Sequence, residues 1–392
     1  MHDHLSQRYW DWRELYALSR DAAPMQHPDY VLSESRHAAH RRMGSVLIVT
    51  ERDGKCAGVA PLIPKVLSTR RVGSLLLNQK VVGLRLAGND FLLAEPDPDV
   101  TSALYAAVLA HVRAVGARFL LMEDLDDRTA SAHTVATETP TGWDSFRHAG
   151  VQPRRRIELP ERSEEYWARF SKKTLQGFRR KLKKFGETRL EHVTDVADVP
   201  RFVETAHLIS LQTWQTRQFG LRIRNDEETL DLLTILAREG LLRCYLWYTN
   251  GEPVAFIVGH QDKGCFHYEE VGYATPYARY SPGQMMLVQM IDDLLKWNRP
   301  HWFDFGGGDA DYKQLFSNHA SRSGTLWLWA PGWKNKLTLG YLRGCRGLRQ
   351  AGRTAVVTLG MANQARQWVR YGWNRLIRAK TTAVTPKSND DE

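Results

Sequence analysis

Two stretches combine residue types that can do chemistry. In FDFGGGDADYKQLF (303–316) an aspartate and three glycines stand just ahead of a tyrosine and a lysine, the types that hold a metal beside a phosphate loop in a kinase. A kinase would also need an H-R-D catalytic loop and a strand lysine under a glycine loop, and the sequence has neither. HWFDF reads instead as a strand, with Trp302 and Asp304 facing opposite to Phe303 and Phe305. The glycines then turn it into a helix carrying Tyr312, Lys313 and Phe316. The second stretch is ATPYARYSPGQMM (274–286), where a helix must start. Ser281 suits the N-cap, Pro282 the first helical position, and Gln284 completes an S-x-x-Q capping box. Free amides there, with Gly283 permitting close approach, make a seat for a pyrophosphate. A well-capped core helix that binds nothing is the competing reading.

The elements around these stretches repeat. GSVLIVTERDGKCAGVAPLIP (44–64) and GLLRCYLWYTNGEPVAFIVGHQ (240–261) each read as a hairpin, about Asp53-Gly54 and Asn250-Gly251. Each is followed by a strand, a helix and a further strand: helix 101–117 and strand 118–124 in the first half, helix PGQMMLVQMIDDLLKWN and strand HWFDF in the second. Residues 323–329 supply a closing strand. The expectation is α/β with mixed sheets in two tandem domains, 1–158 and 159–331, plus a basic helical tail, 332–392.

The net charge of +10 sits in that tail, where residues 332–389 hold 12 Lys or Arg and no Asp or Glu. The body is close to neutral, so nucleic acid is not expected as the principal partner. The four cysteines form no CxxC pair and the 14 histidines no HExxH, so neither a disulfide framework nor a metal is expected. The N-terminal stretch lacks secretory character and no apolar run is long enough for a membrane helix, which points to the cytoplasm. Residues 364–380 mix Trp368, Trp373, Leu376 and Ile377 with five basic side chains, a composition for peripheral attachment to an anionic membrane face.

The order strand, strand, strand, glycine-bearing turn, helix, strand, helix, strand resembles the GNAT acyltransferase superfamily. SKKTLQGFRRKLKKF, GEPVAFIVG, YARYSPGQMML and DFGGGDADYKQLF together look like its CelD/BcsL branch, associated with cellulose and exopolysaccharide production. The first half is similar to the degenerate twin domain of such proteins and of FemAB-like aminoacyltransferases. The resemblance implies an acetyl- or acyl-CoA cosubstrate held at Arg279, Tyr280, Ser281, Pro282, Gly283 and Gln284, and an amine acceptor, free or lipid-linked, on a sugar or envelope precursor. Pro282 departs from the general GNAT loop, which has glycine there, and removes one amide donor. The first half has no such loop, so one acyl-CoA site is expected.

The resemblance also implies that Tyr312 protonates the departing thiolate. Lys313 then either holds substrate or stands in solvent, and Asp304 either touches substrate or caps the glycine turn. The amine must lose a proton, and the strand CFHYEEVGY offers His267, Glu269 and Glu270 as bases. Strict alternation puts Phe266, Tyr268 and Glu270 on one face and His267, Glu269 and Val271 on the other. In SKKTLQGFRRKLKKF, Leu175, Phe178, Leu182 and Phe185 form a packing stripe. Lys173, Arg179 and Arg180 either cradle an anionic acceptor or make a solvated face, and Trp214 either lines an acceptor cleft or packs in a core. Two other readings remain: a FemAB-like aminoacyl-tRNA-dependent transferase and a non-catalytic membrane-bound accessory.

Overall fold

The turns are set by residues that tolerate left-handed backbone. Asp53 and Gly54 have φ of 52° and 74°, Asn250 and Gly251 49° and 85°, and Lys263 and Gly264 47° and 70°, and each pair reverses the chain between two strands. The computed structural model describes residues 2–38, 43–70, 74, 76–147, 149–212 and 223–358. Its strands are β1 Val46–Arg52, β2 Lys55–Ser68, β3 Lys80–Leu86, β4 Leu92–Leu93, β5 Phe119–Asp126, β6 Asp144–Phe146, β7 Gln152–Glu158, β8 Thr188–Val193, β9 Cys244–Thr249, β10 Glu252–Asp262, β11 Cys265–Tyr273, β12 Trp302–Asp304 and β13 His319–Trp329. The helices are α1 His2–Leu18, α2 Pro28–His37, α3 Pro98–Ala114, α4 Ala130–Glu138, α5 Ser163–Ala168, α6 Lys172–Leu182, α7 Val199–Gln212, α8 Glu227–Arg238, α9 Pro282–Lys296, α10 Asp311–Phe316 and α11 Trp333–Thr358.

The strands form one mixed sheet in the order β1-β2-β3-β5-β13-β7-β12-β11-β10-β9-β8, with β4 beside β2 and β6 beside β13. The two halves are therefore woven together. β13 was expected to close the second half beside β12. Instead it pairs antiparallel with β5 and β7, and β7 lies between it and β12. Helices cover both faces because each half needs its own apolar core. In the first half α3 lays Leu104, Tyr105, Val108 and Val112 on Leu84, Leu120, Met122 and Leu328. In the second, α9 docks Met286, Leu287, Met290, Ile291 and Leu294 beside Phe266, Tyr268 and Phe303. Phe178 and Phe185 of the expected stripe are buried in that same core, with Leu175 and Leu182 packed against it. The opposite face carries α7 and α8 through Phe202, Val203, Leu233 and Leu236.

Residues Met1–Leu67 and Val81–Gly332 make one compact unit, and Ser68–Lys80 with the chain from Trp333 onward make another. In the second, Leu339, Leu342 and Cys345 are buried apolar positions of α11, and Asn335 is buried beside them. The hydroxyl of Tyr341 accepts hydrogen bonds from the amides of Leu76 and Leu77 at 3.0 and 3.3 Å, which holds the 74–77 segment to the helix. The stretch 364–380 lies outside the described residues, and no described helix is long and apolar enough to cross a membrane.

Candidate active site at the split between two strands

β11 and β12 run parallel, but only Cys265–His267 pair with Trp302–Asp304, and β11 then continues to Tyr273 paired with β10 alone. A second irregularity falls at the same level. Val258 of β10 opposes Glu270 and the next residue, Gly259, opposes Tyr268, so Glu269 is an extra, bulged residue. The bulge inverts the alternation beyond it. Val271 and Tyr273 pack on the same core as Phe266 and Tyr268, while Glu270 moves to the face of His267. The face assignment made by strict period two is thus corrected for Glu270 and Val271, because a single inserted residue exchanges faces for everything after it.

α9 starts beside this split. The capping box does not form: Ser281 makes no side-chain cap bond, and the Gln284 carboxamide oxygen accepts from the Lys181 ammonium at 2.9 Å. Ser281 instead takes the left-handed conformation, φ 60° and ψ 57°. Pro282 disfavours right-handed backbone at the preceding residue, so the short helical segment Thr275–Tyr280 cannot run straight into α9. A serine held there is strained, and such strain gathers where function requires it. With no side chain over them, first-turn amides such as that of Gly283 face outward at the positive end of the helix. A Cβ on Gly283 would meet Tyr273 and Val271 only at ordinary contact distance, so that space is open toward β11. Cations gather at the mouth: the Arg279 guanidinium lies 4.6 Å from the Tyr280 ring centre and the Lys184 ammonium 5.7 Å from it. Arg279 through Gln284 therefore form one continuous rim.

Asp304 caps the glycine turn, the second of its two expected roles. Asp304 is buried, and its Oδ2 accepts from Nε of both Arg154 and Arg156 at 2.8 Å, while its Oδ1 accepts from the Gly306 amide at 2.8 Å. Burial alone would raise its pKa, but the two guanidiniums hold the carboxyl below its ordinary value. Its role as a substrate contact is corrected: the carboxylate is committed to arginines and turn. Lys313 is corrected too. It is buried, neither solvated nor open to substrate, and its ammonium donates to the carbonyls of Phe305 and Gly307 at 2.8 and 2.9 Å. Burial depresses its pKa, opposed by Asp124, Asp304 and Asp309. Tyr312 is half-buried, with its ring edge-on to Phe305 at 6.0 Å.

Titration separates His267 from Glu269. Burial pushes His267 down to about 4 and His260 well below the ordinary histidine range, so both are neutral at pH 7. Their rings stack at 4.8 Å, and His260 Nε2 lies 3.7 Å from Glu269 Oε1. Glu269 keeps 39% of its side-chain surface, yet burial of its carboxylate, reinforced by Asp124, Asp304 and Glu270, raises its pKa to about 7. A carboxylate of that basicity suits proton transfer near neutrality. Potential ligand atoms of His260, His267 and Glu269 also lie within 4.8 Å of one another, a grouping that sequence spacing conceals because it spans adjacent strands.

α6 lies by the mouth of α9. Lys181 reaches Gln284, whereas Lys173, Arg179 and Arg180 are exposed. Trp214 lies outside the described residues. Sequence reading missed Asp124, Arg154 and Arg156, which the first half delivers from β5 and β7. The run Arg154-Arg155-Arg156 was the available signal, but its partner lies 148–150 residues away.

Residues 169–314 match the Acetyltransferase (GNAT) domain family. No curated protein sequence matches the chain. Among solved structures the chain is similar to FemX (TM-score 0.58, 11% identity, 82% of this chain and 96% of that one). It is also similar to the C-terminal domain of a putative lysylphosphatidylglycerol synthetase from Agrobacterium fabrum (TM-score 0.54, 12% identity, 85% and 95%). The fold is a mixed α/β sheet flanked by helices, similar in arrangement to that of FemX, and residues 169–314 of it are the part that matches the GNAT domain family.

Proposed function

We propose that the chain is an N-acyltransferase that moves an acetyl or longer acyl group from coenzyme A to a primary amine. The observation that carries this reading is the side-chain-free start of α9 beside the split of β11 from β12, with Glu269 bulged at the same level. The pyrophosphate sits on the rim Arg279, Tyr280, Ser281, Pro282, Gly283 and Gln284, where helix amides and Lys181 meet it. The thioester arm enters the split. The ammonium of the acceptor first gives one proton to solvent. Its nitrogen lone pair then attacks the thioester carbonyl, forming a C–N bond; Glu269 takes the second proton, the C–S bond breaks, and Tyr312 protonates the thiolate. The net products are amide, coenzyme A and one proton. His267 is too weak a base at neutral pH to replace Glu269. Calorimetric titration with coenzyme A tests the reading: micromolar binding that Ser281→Pro abolishes supports it, and no binding at about 1 mM refutes it. An aminoacyl-tRNA-dependent enzyme would instead ignore coenzyme A.

The acceptor reading extends to a lipid-linked envelope precursor, because the second unit has the character of a membrane anchor. Trp333, Leu337 and Leu348 fall within about 60° of one another around α11 and are exposed, opposite Leu339 and Leu342. Leu76, 85% exposed, is held against the same helix through Tyr341. Lys334, Lys336 and Arg343 flank the stripe, which matches an anionic bilayer in both charge and apolar content. Sedimentation with phosphatidylglycerol vesicles, lost in Leu76→Glu/Leu337→Glu, is the expected result; equal binding to phosphatidylcholine vesicles overturns it.

A further inference from the structure

A cleft of about 830 Å³ is walled by the end of β5, residues 89–96 and the start of α4, and it ends at Arg154, Arg156 and His267. His267 links the end of the cleft to the proposed base, since its ring nitrogen and the Glu269 carboxylate lie within 4.8 Å of each other. Asp124 lies in its wall. β5 opposes β13 with one residue too many: Met122 pairs Leu326 and Leu125 pairs Gly324, which leaves Glu123 and Asp124 against Thr325. Bulges of this kind re-aim side chains. Asp124 has φ 48°, and its carboxylate lies over Gly307, where an added Cβ would come within 2.4 Å of Oδ1. The glycine turn and the bulge are thus mutually fitted. Asp124 is half-buried, and among the described residues no hydrogen bond or ion pair reaches its carboxylate. Glu269 stands close enough to feel its charge.

The charges of the cleft select the ligand. Arg128 is committed to Asp126 at 2.9 Å, and Arg154 and Arg156 to Asp304. Asp304 balances only one of its two arginines, so Asp21, Glu95, Asp124 and Asp90, whose pKa burial raises, face Arg20 and one unbalanced guanidinium, a small excess of negative charge. A phosphorylated acceptor is repelled and a cation drawn in. The exposed cations of α6 do not argue otherwise, since Lys181 serves the α9 rim.

Resting on the acyltransferase reading above, we propose that this cleft, lined also by the polar side chains of Asn89, Thr129 and Ser131, seats an unphosphorylated, hydroxyl-bearing primary amine, for which D-glucosamine is the probe, and that Asp124 pairs with its ammonium before transfer. The test is calorimetric titration of the whole protein with D-glucosamine, N-acetylglucosamine and coenzyme A in parallel. Glucosamine should bind the wild type, and N-acetylglucosamine, which lacks the cation, roughly tenfold or more weaker. Asp124→Asn and Gly307→Ala, which displaces the carboxylate, should each weaken glucosamine by roughly tenfold while leaving coenzyme A within about twofold. Retained coenzyme A affinity shows that the variants are folded. Glucosamine binding that Asp124→Asn leaves unchanged, or that N-acetylglucosamine equals, overturns the proposal. So does absence of glucosamine binding at about 10 mM in protein that binds coenzyme A. Asp124-dependent glucosamine binding in protein that ignores coenzyme A supports this seat and refutes the coenzyme A reading alone.

Discussion

Replacing Asp304 with asparagine separates a structural carboxylate from a substrate contact. The side chain of Asp304 keeps 1% of its surface and that of Arg154 5%, with 2.8 Å between Oδ2 and Nε. Asparagine preserves the shape and an oxygen for the Gly306 amide but deletes the charge, which leaves Arg154 buried without its anion. Breaking a buried pair on one side costs about 3–5 kcal/mol. The large unit holds roughly 320 residues, and an unfolding entropy of about 2.1 cal/mol/K per residue makes this a fall in Tm of about 5–7 °C. Arg154→Met combined with Asp304→Asn should lose less than the sum of the single changes, with a coupling of about 2 kcal/mol. The folded pKa lies below the unfolded one, so the wild-type advantage is full at neutral pH and fades as pH falls through about 4. Thermal unfolding followed by circular dichroism, beside coenzyme A calorimetry, measures all three. A Tm within about 1 °C of wild type, or a coupling under about 0.5 kcal/mol, refutes the structural assignment.

Glu269→Gln should lower kcat/KM by about 10²–10³ and remove the limb that rises through about pH 7, to which burial raises the carboxyl; a retained limb points to another base. The same substitution should raise Tm above pH 7, because a carboxyl whose folded pKa is raised loses stability as pH climbs from its unfolded value. Lys181→Met should weaken coenzyme A about tenfold, whereas Arg179→Met should change it little, which titration of both variants decides. Lys313→Met removes two charged hydrogen bonds to turn carbonyls and should lower stability by about 2–4 kcal/mol in urea unfolding. Tyr312→Phe should reduce kcat and leave coenzyme A affinity intact, read from single-turnover rates and calorimetry.

Local chemistry was legible in the sequence where it is decided locally. Asn250-Gly251 marks its hairpin because both residues accept positive φ, and the stripe from Leu175 to Phe185 packs as its spacing requires. The site was legible only to the resolution of its loops. Residues 281–284 mark where α9 begins, but the missing cap follows from Pro282 and from Lys181 drawing Gln284 away. The bulge at Glu269 is invisible because nothing in FHYEEV marks the extra residue, and one insertion reverses the period-two pattern. Lys313 reads as a surface lysine because its partners are backbone carbonyls, which carry no sequence signature. Asp124, Arg154 and Arg156 were missed because strand order, not proximity along the chain, brings β7 to β12.

The interleaving of β13 between β5 and β7 has a consequence for synthesis. A nascent chain leaving the ribosome completes the first half's helices and hairpin long before residues 319–329 emerge, so β5 must wait with its Phe119–Asp126 edge uncovered. An open edge rich in Leu120, Leu121 and Met122 invites pairing with other polypeptides. Expression of residues 1–158 alone should therefore yield insoluble material, and supplying 319–329 as a separate peptide is the direct way to rescue it.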